Sequence, residues 1–183
     1  MIRSAGESFV LDAAVVAAFQ RTGRLDALRA LGLSLVVVDA VFHELVGFGE
    51  PNEHQRAIKL AVGGGWLRME PLPAADAPMG ALMNDSKLGF KVDVGEAASI
   101  ALCLRGEGRV FVTPDRGAFI AAAKHLSGTA SSGLSLYGFL RILVERHGFD
   151  VDHVKALVNY ADQGGSLRPF WWEAWIAERL RAG

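Results

Sequence analysis

Four acidic residues occupy positions where the chain is otherwise apolar or where a strand is predicted to end. They are Asp12, Glu44, Glu96 and Asp115. Asp12 directly follows the apolar run 9–11, and Asp115 comes shortly after the β-rich run 109–113. The carboxyl ends of parallel strands form one edge of a sheet, and ligands of open α/β sheets bind there. We therefore expect Asp12 and Asp115 to lie at the same edge.

The other two acids lie on predicted helices that start at this edge. Glu44 falls within the apolar segment 41–46, on a helix that leaves a Val-rich strand, and Glu96 lies in the first turn of a helix that continues to residue 104. A carboxylate among apolar residues either points to solvent or is partly buried, and a buried one needs a partner. All four acids are thus expected within about a helical turn of one edge.

Each acid also has a purely structural interpretation. Asp12 and Asp115 could each cap the helix that follows, because Asp is among the preferred N-cap residues. Asp93 and Glu96 stand three residues apart at a helix start and resemble a capping box. Glu44 could face solvent from the polar side of its helix. These interpretations stay open for each acid taken alone.

A cluster of four carboxylates requires a source of positive charge. Two carboxylates within about 4 Å of each other repel by about 4 kcal/mol at an effective dielectric constant of about 20. No run of lysines or arginines flanks these positions. A divalent cation would neutralise the cluster, and hard oxygen ligands suit Mg²⁺ or Mn²⁺. Mg²⁺ usually takes one or two carboxylates and keeps waters that can attack a phosphate. The four acids together therefore predict a Mg²⁺ or Mn²⁺ site.

The elements that position these acids follow from the alternation of short β-rich runs with helical patterns. That alternation predicts an α/β fold with a parallel sheet. We predict strands at 8–11, 34–38, 65–69 and 109–113. Helices are predicted at 14–31, 40–46, 52–62, 95–104 and 116–125. Right-handed crossovers place such helices on both faces of the sheet.

The remaining segments are predicted as loops and a helical C-terminal part. Loops are expected at 47–51, 63–65 and 71–78, where Gly and Pro are concentrated. Further helices are predicted at 134–147, 151–161 and 170–180. There is no repeat and no long low-complexity linker, so one compact unit is the expectation.

Composition restricts the class of protein. The 183 residues suit one domain, and 51% apolar content is enough for a core. The longest apolar stretch, 9–19, is too short to cross a bilayer, so no membrane association is expected. Cys103 is the only cysteine, which excludes an intramolecular disulfide and a cysteine-based zinc site. With no leader-like N-terminus, we expect a cytoplasmic protein.

Charge provides no field over the whole molecule for holding a polyanion. There are 19 basic and 20 acidic side chains, a net charge of -1. A nucleic acid would have to be bound locally. Between residues 101 and 147, six Lys and Arg residues stand against three acids. This surplus could contact RNA, although an ordinary solvated surface would explain it equally well.

Four motifs resemble those of PIN-domain nucleases. They lie at 9–12, 39–45, 94–102 and 112–116, in the family's order, and the resemblance covers about residues 7–148. Its most specific part is Gly-Glu-Ala-x-x-Ile-Ala-Leu together with Thr-x-Asp-Arg. The resemblance implies a three-layer α/β/α sandwich with a mostly parallel central sheet. It also implies Mg²⁺- or Mn²⁺-dependent endonuclease activity, usually on RNA, and many bacterial members resemble VapC-type toxins that an antitoxin protein holds inactive.

The resemblance also assigns roles to single residues. The acids of the family match Asp12, Glu44, Glu96 and Asp115. We expect Asp12, Glu96 and Asp115 to hold the metal directly or through water, and the fourth acid to complete the pocket and orient water. Thr113 matches a hydroxyl residue and is expected to orient Asp115 or a metal-bound water. Arg116 is adjacent to Asp115 and is expected to hold the phosphate.

Two departures from the family pattern keep other functions open. Ala14 stands where many members have Asn or Ser, and Gly117 stands where an additional acid is common. Because of these two departures, we expect one tightly bound metal ion and a second ion that binds more weakly. A first alternative is a catalytically weak or inactive PIN-like fold that serves as a nucleic-acid or protein binding module. A second is an unrelated phosphohydrolase that forms an aspartyl-phosphate on Asp12, against which the missing acid at position 14 argues.

The length beyond the resemblance predicts an extension. We divide the chain into a PIN-like nuclease domain, 1–148, and a C-terminal helical extension, 149–183, packed on the same domain. The Trp-rich segment 169–175 is expected to pack onto the domain or onto a second copy of the chain. The expected partners are therefore an RNA substrate, an antitoxin protein and a second subunit in a homodimer.

Overall fold

A wholly parallel β-sheet organises the residues that the computed structural model describes, which are 7–47, 49–73, 76–85, 91–106, 108–163 and 168–182. The strands are β1 (Ser8–Leu11), β2 (Ser34–Val38), β3 (Leu67–Glu70), β4 (Arg109–Thr113) and β5 (Ser132–Ser135). They lie in the order β3-β2-β1-β4-β5. The flanking helices are α1 (Ala13–Arg21), α2 (Leu25–Ala30), α3 (Asp39–Val46), α4 (Glu53–Gly63), α5 (Ala77–Met83), α6 (Val94–Arg105), α7 (Arg116–His125), α8 (Leu136–His147), α9 (Val151–Gln163) and α10 (Trp172–Ala182). The fold is the expected three-layer α/β/α sandwich.

The centre of the sheet is β1, which pairs with β2 on one side and β4 on the other. Phe9, Val10 and Leu11 are buried, as expected for a strand covered on both faces. The chain leaves β1 towards β2 and later returns to the other side of β1 as β4, so the strand order reverses there. Such a switch point opens a crevice at the carboxyl ends of the strands. Asp12 and Asp115 follow the two strands that border this crevice.

The main differences from the sequence-based predictions concern three elements, while β3 and α10 simply begin two residues later than predicted. The predicted helix 14–31 is two helices, because α1 ends before Gly23, whose φ of 68° is a left-handed conformation. The predicted loop 71–78 contains the start of α5, which Asp76 caps by accepting a hydrogen bond from the amide of Met79 at 2.9 Å. The predicted helix 134–147 begins only at Leu136, since residues 132–135 form β5.

Strand β5 lies at the edge of the sheet and has few features of a strand sequence. Its Ser-Gly-Leu-Ser segment contains no β-branched or aromatic residue, and none of its residues is buried. Pairing with β4 and packing against α7 define it instead. A Cβ on Gly133 would lie 2.8 Å from the Cβ of Ala122, so only glycine allows α7 to pack this closely.

The Trp-rich segment packs onto α8 of its own chain. Trp172 and Trp175 are buried, with 2% and 6% of their surface exposed. The Trp172 ring lies 4.7 Å from the ring of Tyr137, centroid to centroid. The indole of Trp175 donates a hydrogen bond of 2.9 Å to Glu145. Packing on the same chain is therefore observed, whereas the division of the chain at residue 148 stays a prediction.

No helix among the described residues combines the length and the apolar character needed to cross a lipid bilayer.

Replacing Trp172 by alanine should lower the free energy of unfolding by about 3 kcal/mol or more, because it empties a buried aromatic site. Phe170, two residues earlier, is 99% exposed, so Phe170→Ala should change it by less than about 0.5 kcal/mol. Urea denaturation of both variants tests this. Equal losses for the two variants would contradict the packing of the tail.

Candidate functional site

The four predicted acids come together at the carboxyl edge of the sheet. Asp12 follows β1, Asp115 follows β4, Glu44 lies on α3, and Glu96 lies in the first turn of α6. The negative charges that act on Asp12 include Glu44 and Asp93, and those that act on Glu96 include Asp12 and Asp115. Residues from four separate parts of the chain therefore share one acidic pocket.

Asp12 is the buried member of the pocket, with 7% of its surface exposed. It occupies the N-cap position of α1, but its side chain makes no capping hydrogen bond. Its Oδ2 instead accepts a hydrogen bond of 2.7 Å from the hydroxyl of Thr113. The interpretation of Asp12 as a side-chain cap is therefore wrong, and its carboxylate is directed to β4.

Thr113 connects two of the acids. Its side chain is fully buried at the end of β4, and its Oγ1 accepts a hydrogen bond of 3.0 Å from the amide of Asp115 while donating to Asp12. The β1–β4 register pairs Leu11 with Val112, which places Thr113 beside Asp12. A hydroxyl is the group that can donate to one partner and accept from another at this position.

Asp115 serves as the N-cap of α7. Its Oδ1 accepts a hydrogen bond of 2.8 Å from the amide of Ala118, which confirms the capping interpretation. Its second oxygen takes part in no hydrogen bond within the described part of the chain. Arg116, the first residue of α7, is exposed and belongs to no ion pair between described residues. One carboxylate thus caps a helix and still presents an oxygen to the pocket.

Glu96 and Asp93 form the predicted capping box. The amide of Glu96 donates to Asp93 at 2.8 Å, and the amide of Asp93 donates to Glu96 at 3.0 Å. Glu96 is buried, with 9% of its surface exposed. The box holds both carboxylates at the start of α6, at the mouth of the crevice.

Asp93 is the site residue that the sequence-based reasoning missed. Its charge acts on Asp12, Glu44 and Glu96, so it belongs to the pocket as a fifth acid. The Asp-x-x-Glu spacing at 93–96 is a visible signal in the sequence, but helix capping is sufficient to explain it locally. Capping and membership of the pocket are compatible, because a carboxylate has two oxygens.

Glu44 lies at the exposed rim of the pocket. A Cβ on Gly95 would lie 3.2 Å from Val41 Cγ2, 3.3 Å from Glu44 Oε2 and 3.5 Å from Asp93 Oδ1. The absence of a side chain at Gly95 therefore lets α3 approach the start of α6. This close approach brings the Glu44 carboxylate next to Asp93.

Burial and mutual repulsion raise the pKa values of three carboxyl groups in the pocket. Burial, opposed in part by the hydrogen bond from Thr113 and reinforced by Asp93, raises the pKa of Asp12 from 3.8 to about 6. Burial and the neighbouring carboxylates raise the pKa of Glu96 from 4.5 to about 7. Burial and Asp93 also raise the pKa of Glu44. The charges that act most on these three groups are all negative.

The donor set fits a hard divalent cation that keeps part of its water shell. Within the described ranges, no three Asp, Glu, His or Cys side chains are arranged to hold one metal ion. A closed protein cage is therefore absent from this part of the chain. One or two carboxylates with waters are the usual ligands of Mg²⁺ in proteins. Carboxylate donors of raised pKa, on which the strongest acting charges are negative, match that requirement.

The basic surplus predicted between residues 101 and 147 is partly neutralised. Arg105 pairs with Asp76, and Lys124 lies 2.6 Å from Asp85. Arg109 likewise lies 2.8 Å from Glu70. All three acids lie outside that segment, so three of its positive charges are balanced from elsewhere. Arg116, beside the acidic pocket, is the cation of this segment whose position best suits a phosphate at the pocket.

A family model described as DUF3368: PIN domain matches residues 8–159. The match includes every acid of the pocket and continues past residue 148 into α9. No curated protein and no solved structure matches the chain.

The metal-free protein should lose stability as pH rises from about 4 to about 7. Asp12 and Glu96 have folded-state pKa values of about 6 and about 7, above their ordinary values of 3.8 and 4.5. In this window these two groups bind more protons in the native state than in the unfolded state, so the stability that they contribute is full at low pH and is lost as pH rises through their folded-state pKa values. Asp12→Asn should therefore be more stable than the wild type at pH 8 in EDTA, by at most about 3 kcal/mol.

Thermal melts at several pH values, with the difference between the wild type and Asp12→Asn as the readout, test this. The matched control is Asp26→Asn on α2, an exposed aspartate outside the pocket. A wild type that is more stable than Asp12→Asn at every pH would contradict the cost assigned to the buried charge.

Thr113→Val should destabilise the protein by about 1 to 3 kcal/mol, because the isosteric side chain leaves the Asp115 amide and the Asp12 carboxylate without their partner. Thr113→Ser keeps the hydroxyl and should recover most of this loss. Urea denaturation compares the two variants. If valine were as stable as threonine, or serine no better than valine, the connecting role of Thr113 would be wrong.

Proposed function

Because the chain belongs to the PIN-domain family of nucleases, we propose that it is a Mg²⁺- or Mn²⁺-dependent endoribonuclease that hydrolyses RNA phosphodiester bonds. The observation that carries the proposal is the acidic pocket at the switch point between β1 and β4. It joins buried carboxylates of raised pKa with no cation among the charges that act most on them. Such perturbed groups in a crevice are typical of catalytic sites.

Asp12, Glu96 and Asp115 would hold the metal, one or two of them directly and the rest through water, because no three acidic side chains of the described residues are arranged to ligate one ion together. The bound metal supplies an activated water and neutralises charge that develops on the phosphate. Thr113 keeps the carboxylate of Asp12 in place through its hydroxyl. The capping bonds of Glu96 and Asp115 fix one oxygen of each carboxylate and leave the other for the pocket.

The residues at the rim would act on the substrate and on water. Glu44 is exposed beside Asp93 and is positioned to orient a water molecule. Arg116 extends from the start of α7, next to Asp115, and offers a guanidinium to the phosphate. Asp93 adds a negative charge that increases the attraction of the pocket for a cation.

The finer assignments rest on the resemblance to VapC-type members. They are a toxin role, an antitoxin protein as partner and a homodimer, and they stay predictions. The described structure adds that the Trp-rich tail covers α8 of its own chain, so the tail is not free to form a dimer through Trp172 and Trp175.

Incubation with a mixed RNA substrate should give cleavage with Mn²⁺ or Mg²⁺ and none with EDTA. Asp12→Asn and Glu96→Gln should each lower the rate by about a hundredfold or more, because each removes a charge that holds the metal. Asp26→Asn is the matched control and should leave the rate unchanged. Asn is also a good N-cap, so Asp93→Asn keeps the cap of α6 and tests the charge of Asp93 alone.

Two results would contradict the proposal. Cleavage that survives EDTA and both pocket substitutions would exclude this mechanism. Absence of cleavage with both metals, together with no metal binding by calorimetry, would favour a PIN-like fold that acts as a binding module.

A further inference from the structure

A second concave site lies at the opposite edge of the sheet. It is a cavity of about 220 Å³ between the α2–β2 connection and the α4–β3 connection. Its lining includes Arg29, Ser34, Trp66 and Arg68. Ser34 begins β2 and Trp66 precedes β3, so the cavity opens at the amino ends of these strands. The cavity and the acidic pocket lie at opposite ends of these strands, and the length of β2 places them about 15 Å apart.

The cavity is basic. Arg68 donates a hydrogen bond of 3.1 Å to the hydroxyl of Ser34 and lies 3.7 Å from Glu70, so its guanidinium is held at the wall. Arg29 is exposed and takes part in no ion pair between the described residues. No acidic side chain is among the described residues that line the cavity. Two guanidinium groups in one concave site favour an anion, and Arg binds phosphate in a bidentate manner.

Trp66 distinguishes this cavity from a site for a simple anion. The side chain is half-buried, and it follows Gly65, whose φ of 76° allows the turn that leads into β3. A Cβ on Gly65 would meet nothing within 4 Å, so there is open space at the residue that precedes Trp66. Aromatic side chains beside arginines bind a base by stacking while the cations bind the phosphate.

The volume limits the size of the ligand. Pockets that enclose a drug-sized molecule measure about 300 Å³ or more. A cavity of about 220 Å³ is too small to enclose a dinucleotide cofactor. It suits one mononucleotide unit that remains partly in solvent.

We propose that this cavity is a second, non-catalytic site that binds one nucleotide, with the phosphate on Arg29 and Arg68 and the base against Trp66. The nucleotide is either free or one unit of an RNA strand, since the recognised chemistry is the same. The site shares no residue with the acidic pocket and needs no metal, so it does not depend on the nuclease proposal.

Calorimetry on the full chain in EDTA tests the site with AMP, inorganic phosphate, adenosine and a short RNA. AMP should bind more tightly than phosphate or adenosine. Arg29→Ala and Arg68→Ala should each weaken binding by about tenfold or more, because each removes a charge-assisted hydrogen bond to phosphate. Trp66→Ala should also weaken it. Arg21→Ala is the matched control, since Arg21 is exposed on α1 and does not line the cavity.

The titrations with AMP and with the short RNA distinguish the two sources of the nucleotide. Binding of AMP that the three cavity substitutions weaken assigns a site for a free nucleotide. If the three cavity substitutions weaken binding of the short RNA but not of AMP, the site binds a nucleotide within a strand. The proposal is overturned if phosphate binds as tightly as AMP, if Arg21→Ala has the same effect, or if all variants bind both ligands like the wild type. Thermal melts show that each variant is folded before its affinity is compared.

Discussion

The candidate site depends on the register between β1 and β4. Pairing of Leu11 with Val112 lets the amide of Asp12 donate to the carbonyl of Val112 at 3.0 Å, and the next residue of β4, Thr113, then reaches the Asp12 carboxylate. A slip of one residue would turn Thr113 to the other face of the sheet. The buried apolar strands, and not any attraction among the acids, therefore hold the pocket together.

The pocket is assembled against its own repulsion, and the helices reduce that cost. Both α6 and α7 begin at the carboxyl edge of the sheet, so the positive ends of their dipoles lie at the acids. Asp93 and Asp115 accept hydrogen bonds from backbone amides there. The structural and the functional interpretations of these acids are thus two aspects of one arrangement. What capping does not explain is the burial of the Asp12 carboxylate, which makes no side-chain capping bond and has a raised pKa.

Sequence patterns predicted the parts of the fold that burial determines. The bounds of β1, β2, β4 and α7 agree with the predictions, because continuous apolar runs and helical periodicity both report contact with the core. The half-exposed edge strand β5 was missed because partners, not composition, make it a strand. The four acids could be named from their places at strand ends and helix starts. The position of Asp93 in the pocket could not, because it depends on how closely α3 and α6 approach over Gly95.

Charge is separated between the two edges of the sheet, which a net charge of -1 conceals. Helix starts favour acids at the carboxyl edge, and helix ends favour cations at the amino edge, where Arg29 lies in the last turn of α2. Part of this separation is therefore a general consequence of a parallel α/β fold. Charge alone does not identify a ligand site at either edge. At the carboxyl edge, helix dipoles do not require acids to be buried, yet Asp12 and Glu96 are buried. At the amino edge, helix dipoles do not account for the cavity or for Trp66 in its lining.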